Sequence, residues 1–200
     1  MKPEPYVLLS LGGLALFLFS FTHRIPAFAE WDVAVFKRLN AINQGRLRVG
    51  LFRLIWPLGT TVFTVLALLA LIVFDPPMGL LASLSLFCAG VVERITKQKI
   101  QRVRPFAVLA NIPMHQPSRP EDASFPSGDC LRVWFLATLL VFLFPWSWPP
   151  VLVILGLACL VTMGRIALGV HYPLDVLGGA GLGILAAGVC LVVTNFSMPR

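Results

Sequence analysis

Long apolar runs divided by short polar stretches make up most of the chain. Five of these runs contain no charged residue, and they cover residues 6–22, 55–74, 78–92, 133–164 and 176–198. About 20 apolar residues cross a hydrocarbon core. The fourth run is long enough to cross twice, with Pro145, Pro149 and Pro150 at a hairpin. The pattern predicts an all-α integral membrane protein, a six-transmembrane-helix bundle.

The predicted spans define a single domain over residues 1–200. We expect them at residues 6–22, 55–74, 78–97, 130–146, 150–164 and 176–196. The third run is short, so its helix should continue past Arg94 to Lys97, because long cationic side chains reach the membrane interface. The first run could be mistaken for a signal peptide, because residues 27–29 resemble a signal-peptide cleavage site. His23 and Arg24 separate the two, which favours a retained helix.

Residues 27–53 differ from the spans because basic residues are interleaved with apolar ones. Helical spacing places five apolar residues on one face, namely Trp31, Val35, Phe36, Leu39 and Ile42. Basic residues occupy other positions, at Lys37, Arg38, Arg46, Arg48 and Arg53. This segment predicts an interfacial amphipathic helix, and the sequence at residues 43–45 interrupts its pattern.

Small residues and cysteines within the runs have simpler interpretations. Gly179, Gly183 and Ala187 recur every four residues, which predicts close helix packing inside the bundle. The four cysteines show no disulfide pattern, and Cys88, Cys159 and Cys190 lie well inside predicted spans. Cys130 adjoins a polar stretch, but no histidine is near it in sequence to activate it as a nucleophile.

Composition agrees with a membrane protein, because 58% of residues are hydrophobic, 12% are charged and the mean hydropathy is +0.85. Six spans leave Lys2 and Arg200 on one side and the other 14 of the 16 basic residues on the other side, together with both polar stretches. The positive-inside rule places that second side in the cytoplasm. We expect the bilayer as the partner and no nucleic acid, and the sequence does not determine an oligomeric state.

The polar stretch at residues 94–129 carries a dense cationic run. Its members are Lys97, Lys99, Arg102 and Arg104. Cations beside apolar runs are costly unless they have a function, and phosphate is the anion that Lys and Arg match best. The stretch ends with Ser127 and Gly128 before another apolar run, where the N–H groups of a helix start favour a phosphate.

The second polar stretch, residues 164–175, adds Arg165, His171 and Asp175. A carboxylate that holds one nitrogen of a neutral imidazole leaves the other nitrogen free to act as a nucleophile or base. The pattern therefore indicates phosphoryl transfer through a phosphohistidine at His171, with Asp175 fixing its tautomer. The expected phosphate ligands are Lys97, Arg104, Ser127, Gly128 and Arg165. We expect no metal and no cofactor, since cations and N–H donors can supply the stabilisation.

Taken together, KQKIQRVRP, FPSGD and GRIALGVHYPLD resemble the three-part signature of the type 2 phosphatidic acid phosphatase family. These membrane lipid phosphatases are related to vanadium haloperoxidases. The resemblance covers residues 97–175 and implies a six-helix bundle that hydrolyses lipid phosphates or diphosphates without a metal. It also implies the roles given above to His171, Asp175 and the phosphate ligands. For a bacterial inner-membrane protein it implies an extracytoplasmic site, opposite to the face favoured by charge.

The sequence departs from the family at Asp129, where the second motif normally ends in a histidine that protonates the leaving group. A helix start and nearby cations such as Arg132 favour an ionised Asp129, which would be a poor acid but could orient water. A phosphate leaving group needs little protonation, so the change favours a lipid diphosphate, such as a polyprenyl diphosphate, over phosphatidic acid or phosphatidylglycerophosphate. A helix cap paired with Arg132 is an equal alternative for Asp129.

Other residues and functions stay open from the sequence. His115 could replace the missing acid or simply be solvated, while Lys99, Arg102 and Arg119 are interpreted as interfacial anchors. Gly164 replaces a serine that often precedes the third-motif arginine of the family. A hydrolase, a lipid-to-lipid phosphotransferase and a non-catalytic phospholipid-binding or transport protein are all compatible with the pattern.

Overall fold

The computed structural model describes residues 5–144 and 147–197, and within these ranges the chain is helical and has no β-strand. The helices of this part are α1 Pro5–Ser20, α2 Pro26–Ile42, α3 Arg46–Ile55, α4 Thr61–Phe74, α5 Pro76–Ile100, α6 Pro105–Val108, α7 Gly128–Leu143, α8 Trp148–Ala167 and α9 Pro173–Ser197. Short 3-10 turns at Phe21–Arg24 and Trp56–Gly59 join α1 to α2 and α3 to α4. The predicted all-α class is confirmed.

Helix α5 shows how local sequence sets the ends of a long helix. The Asp75 Oδ1 atom accepts a hydrogen bond from the Met78 N–H at 3.2 Å, and Pro76 fills the first helical position, where its missing N–H has no cost. At the other end, Gln101 adopts the left-handed conformation with φ of 49°, which stops the helix. The helix therefore carries Lys97 on its last turn.

Helix α9 lies at the centre of the bundle, between α1 and α7. The three helices approach closely through glycine. A Cβ atom on Gly181 would lie 2.8 Å from the Gly13 carbonyl oxygen, and one on Gly179 or Gly183 would overlap the carbonyl oxygens of α7 or of the residue before it. The predicted close packing of these small residues inside the bundle is confirmed.

Four helical segments in the described ranges are long and apolar enough to cross a membrane: Pro5–Arg24, Pro76–Val108, Trp148–Ala167 and Pro173–Asn195. A fifth is counted if Arg46–Gly59 and Thr61–Phe74, which meet at a 47° bend, form one span. The remaining predicted span, residues 130–146, corresponds to α7, which has only 16 residues. Pro145 of the expected hairpin lies outside the described residues, as do Lys2 and Arg200.

The predicted interfacial segment forms two helices, because α2 ends at Ile42 and α3 begins at Arg46. The buried face of α2 consists of Asp32, Phe36 and Asn40, which follow one another at four-residue spacing. The Asn40 side-chain amide donates to the carbonyl oxygens at the end of α8. Polar bonds as well as apolar packing therefore attach α2 to the bundle.

Candidate active site

His171 lies in the short connection between α8 and α9, and only 3% of it is exposed. The backbone N–H groups of Val170 and His171 donate to the Arg165 carbonyl oxygen at 3.1 and 3.3 Å. Gly169 has a φ of +80°, and a Cβ atom there would lie 2.6 Å from the Pro113 carbonyl oxygen. Glycine is therefore required by conformation and by space, and the turn fixes His171 beside Arg165.

The contacts of the imidazole define its tautomer. On one side, Ser124 Oγ lies 3.4 Å from His171 Nδ1 and donates to Asp175 Oδ2 at 2.5 Å, and the same carboxylate oxygen lies 3.7 Å from Nδ1. On the other side, Arg104 Nη1 lies 3.2 Å from Nε2. A guanidinium can only donate, so Nε2 is unprotonated and Nδ1 carries the proton.

Burial and the Arg104 charge lower the pKa of His171 from 6.5 to about 4, although Asp175 acts in the opposite direction. A buried site disfavours the charged imidazolium, and a neighbouring cation disfavours it further. The imidazole is therefore neutral at physiological pH and has a lone pair on Nε2. This is the state that a nucleophilic histidine requires.

Asp175 is fully buried and belongs to an ionic network that reaches α2. Its Oδ1 atom pairs with Arg102 Nη1 at 2.6 Å, and Arg102 Nη2 pairs with Asp32 Oδ2 at 2.6 Å. The other Asp32 oxygen accepts from the Leu174 N–H at 2.9 Å. The prediction that Arg102 is an interfacial anchor is wrong, because two buried carboxylates draw its guanidinium inward over the Tyr172 ring.

Lys97 and Arg104, the cations predicted to bind phosphate, both contact Asp122. Lys97 Nζ lies 2.5 Å from Asp122 Oδ2, and Arg104 Nη2 lies 2.7 Å from Asp122 Oδ1. Lys97 also pairs with Glu93 at 2.8 Å. Burial raises the pKa of Asp122, but bonds and charges from Lys97 and Arg104 outweigh burial and hold it at about 2. The two cations are held by an internal anion.

Three buried polar atoms at the site have no partner among the described residues, namely Arg165 Nε, Ser127 Oγ and Trp56 Nε1. The rest of the Arg165 guanidinium is engaged, with Nη1 at 2.9 Å from Asp129 Oδ2 and Nη2 donating to the Trp56 carbonyl oxygen at 2.8 Å. Buried polar groups are nearly always satisfied. Two of the predicted phosphate ligands thus carry donors that no hydrogen bond uses among the described residues.

The start of α7 brings backbone N–H groups to the same place. Ser127 precedes the helix, and its own N–H donates to the Asp175 carbonyl oxygen at 3.0 Å. A Cβ atom on Gly128 would overlap the Glu93 carboxylate, so a larger residue there would displace the Glu93 side chain from its pair with Lys97. The first N–H groups of a helix lack intrahelical partners and favour an anion.

Asp129 bridges two arginines. Its Oδ1 lies 2.6 Å from Arg132 Nη2, and its Oδ2 lies 2.9 Å from Arg165 Nη1. Two cations at this distance stabilise the carboxylate, so Asp129 does not carry the proton that a general acid needs. The predicted pair with Arg132 is confirmed, but the Asp129 side chain does not cap α7.

A cavity of about 260 Å³ joins these groups. Its lining residues are Trp56, Thr60, Thr61, Lys97, Arg104, Gln116, Ser118, Pro120, Asp122, Gly128, Asp129, Arg132 and His171. The structure thus brings together the catalytic candidates His171 and Asp129 with three of the phosphate-ligand candidates, while Ser127, Arg165 and Asp175 lie buried directly behind them. Within the described ranges no group of three His, Cys, Asp or Glu residues could hold a metal ion.

Other sequence candidates lie away from the cavity. His115 Nε2 contacts Gln44 Oε1 at 2.8 Å, and His115 does not belong to the cavity lining within the described ranges. Arg119 stacks 5.2 Å from the centre of the Phe106 ring. Cys130 is fully buried. None of these three residues is placed to protonate a leaving group or attack phosphorus.

Sequence reasoning missed Asp32, Asp122 and Ser124. Asp32 is one of two acidic residues, with Glu30, in a basic amphipathic segment, and its four-residue spacing from Phe36 was the available signal. Asp122 and Ser124 stand just before the second motif, but their partners lie 18 to 51 residues away. Sequence spacing alone could not show which residues Asp122 and Ser124 contact.

Residues 78–199 match the PAP2 superfamily, and the chain belongs to this superfamily. Its apolar helices and this membership make it a multi-pass membrane protein. A crystal structure of Aquifex aeolicus LpxE superposes with a TM-score of 0.72 at 26% identity, covering 80% of this chain and 94% of that one.

Two of the curated relatives are named as phosphatases. An undecaprenyl-diphosphatase from Sulfolobus acidocaldarius is 35% identical over 122 residues, which are 60% of this chain and 56% of the relative. The phosphatidylglycerophosphatase B of Bacillus subtilis is 38% identical over 117 residues, which are 54% and 53% of the two chains. This chain spans about half the length of the curated relatives it matches.

Proposed function

We propose that the protein is a membrane lipid phosphatase that removes a phosphoryl group from a lipid phosphate or diphosphate through a phosphohistidine at His171. One observation carries the proposal: a buried, neutral imidazole with an unprotonated Nε2 lines a cavity beside Arg104 and Lys97. Membership in the PAP2 superfamily and the names of the two curated relatives support phosphatase chemistry.

In the first step Nε2 attacks phosphorus in line. The N–P bond forms, the bond between phosphorus and the lipid oxygen breaks, and its electron pair leaves with that oxygen. Asp175 and Ser124 hold the Nδ1 proton and stabilise the positive charge that develops on the ring. The buried Asp175 carboxylate therefore acts on the transition state indirectly, because it fixes the tautomer of His171 and stabilises the charge on its ring.

The phosphoryl oxygens would be bound by cations and N–H donors, because charge in the transition state spreads over the equatorial oxygens. The proposed ligands are Lys97, Arg104, Ser127, Gly128 and Arg165. Among them, Arg165 Nε and Ser127 Oγ hold the unused buried donors. A phosphate must also displace Asp122 from Lys97 and Arg104, since the carboxylate occupies their donors.

In the second step water attacks the phosphohistidine. The new O–P bond forms, the N–P bond breaks, its electrons return to Nε2 and inorganic phosphate leaves. Asp129 lines the cavity as a carboxylate, so it orients the water and accepts one of its protons. An ionised Asp129 suits this second step better than protonation of the lipid in the first.

We further propose six crossings in one domain, with α7 as the short span and α3 to α4 as the bent one. Apolar residues exposed on the outer helices, such as Leu80, Phe87 and Leu152, support contact with lipid. The proposed location is a bacterial inner membrane. Replacing His115 by cysteine, with the native cysteines removed, tests the face: labelling only after permeabilisation would assign the site to the cytoplasm, and labelling in intact cells to the exterior.

The test of function is phosphate release by purified protein with EDTA present. Phosphatidic acid and a polyprenyl diphosphate are offered to wild type, to His171→Asn and to Lys99→Gln, which alters an exposed cation near the site. We expect release by wild type and Lys99→Gln and none by His171→Asn. Release that persists in His171→Asn overturns the mechanism. No release without an added acceptor lipid, but transfer with one, would make the protein a phosphotransferase, and binding without turnover would make it a lipid-binding protein.

A further inference from the structure

Arg132 lies where the polar cavity meets an apolar one. Together with Thr61 it lines both the cavity of His171 and a neighbouring cavity of about 360 Å³ between α4 and α5. The second cavity is lined mainly by apolar side chains, including Val65, Leu86 and Phe87. A lipid whose headgroup reaches His171 would therefore pass Arg132 at the junction of headgroup and chain.

Two contacts hold the Arg132 side chain in place. Its Nε donates to the Gly59 carbonyl oxygen at 2.9 Å, and its Nη2 pairs with Asp129 Oδ1 at 2.6 Å. Among residues 5–144 and 147–197 neither contact uses Nη1, so its two N–H donors are left for a ligand. The side chain is 20% exposed, which keeps these donors within reach of the cavity while limiting their hydration.

The ion pairs of Arg132 leave a net positive charge, because Glu93, a carboxylate on the lining of the apolar cavity, pairs with Lys97. Asp129 is a single carboxylate between two guanidinium groups, those of Arg132 and Arg165, and the Arg165 side chain is 1% exposed. Removing charge from water is costly unless it is paired. This trio therefore carries a net positive charge in a poorly hydrated place and favours a further anion.

We propose that Arg132 binds the leaving phosphate of a lipid diphosphate, while His171 takes the terminal phosphoryl group. This rests on the proposed function and narrows its substrate class. The bond between the terminal phosphorus and the bridging oxygen breaks, and the electron pair stays on that oxygen. The product leaves as a lipid monophosphate that needs no proton, and the Arg132 cation stabilises its added charge. The Arg132 cation thus stabilises a phosphate leaving group, whereas an alcohol leaving group would need protonation by an acid.

The first test measures binding without turnover. Methylenediphosphonate, a non-hydrolysable diphosphate analogue, and inorganic phosphate are titrated into purified protein by calorimetry. We expect wild type to prefer methylenediphosphonate and Arg132→Gln to lose about 10- to 100-fold in that preference, the range for a charge-assisted hydrogen bond. Arg132→Lys keeps the charge and should retain part of it. The control Arg119→Gln removes a cation outside the cavity. An unchanged preference in Arg132→Gln, or none in wild type, overturns the proposal.

The second test compares turnover of a polyprenyl diphosphate and the matching polyprenyl monophosphate. The Arg132→Gln loss in kcat should be at least about 10-fold larger for the diphosphate. An equal or smaller loss overturns the subsite. Failure of the proposed function has a different signature, because wild type would then turn over neither lipid, or turnover would survive in His171→Asn. The binding test does not depend on that outcome.

Discussion

Arg104 Nη1 lies 3.2 Å from Nε2 of His171, the nitrogen expected to attack phosphorus. The same guanidinium bonds to the Asp122 carboxylate and to the Val170 carbonyl oxygen. One side chain thus sets the tautomer of the nucleophile, lowers its basicity and presents donors to the place where phosphoryl oxygens would lie. Arg104 therefore contributes both to the orientation of the nucleophile and to the positive charge of the site.

Arg104→Lys tests this combined role. Lysine keeps the positive charge but loses the planar fork that contacts His171 and Asp122 together. We expect kcat/KM to fall about 10- to 100-fold, as for loss of a charge-assisted hydrogen bond. Lys99→Arg is the matched control, because Lys99 is exposed near the end of the same helix as Lys97. Equal kinetics for Arg104→Lys and wild type would contradict the role of the fork.

The titration of His171 is a second prediction. Its pKa of about 4 keeps Nε2 unprotonated down to that pH, and formation of phosphohistidine should fail only as the pH drops through about 4. Unfolded protein would bind this proton near pH 6.5, so His171 also reduces the free energy of unfolding as the pH falls from 6.5 towards 4.

NMR of protein labelled with ¹⁵N-histidine measures this pKa directly, whereas kinetics would mix it with the phosphate pKa near 6. The chain has three histidines, and His171→Asn identifies the signal. A midpoint near 6.5 would mean that burial and Arg104 do not control the imidazole.

Asp122→Asn should strengthen anion binding. The Asp122 carboxylate occupies Lys97 and Arg104, and its pKa of about 2 keeps it ionised at physiological pH. It therefore competes with phosphate, although its half-exposed position limits the effect. We expect inorganic phosphate to inhibit the variant at about 3- to 10-fold lower concentration. The neighbouring Glu121→Gln is the control. Weaker inhibition in Asp122→Asn would show that this carboxylate organises the site instead of competing for it.

Arg102→Gln should destabilise the protein strongly, because it leaves Asp32 and Asp175 buried without their shared cation. Breaking such a network costs about 3–5 kcal/mol. The double variant Asp32→Asn, Arg102→Gln removes one of the two stranded carboxylates and should recover part of the loss. Thermal unfolding in detergent measures the stability of the single and the double variant. Additive losses would mean that Arg102 does not couple the two acids.

The sequence predicted the helical class and the convergence of residues from three motifs, because apolar run length and motif order are local properties. It could not pair Arg102 with Asp32, since 70 residues separate them and the basic pattern of residues 27–53 favours an interface position. Helix length alone does not give six spans in the structure. Helix α7 begins at Gly128, close to the cavity, and has only 16 residues before Phe144.

The glycine contacts of α9 have a mechanical consequence. Gly179 and Gly183 press its backbone against α7 and the residue that precedes α7, while Gly181 presses it against α1. Sliding α9 would force backbone atoms into one another. Helix α9, which begins beside His171, is therefore fixed in position relative to α1 and α7. Helix α4 takes no part in these glycine contacts of α9, and it follows a 47° bend after the segment Arg46–Gly59. A displacement of α4 would therefore leave α9 and the nucleophile His171 in place.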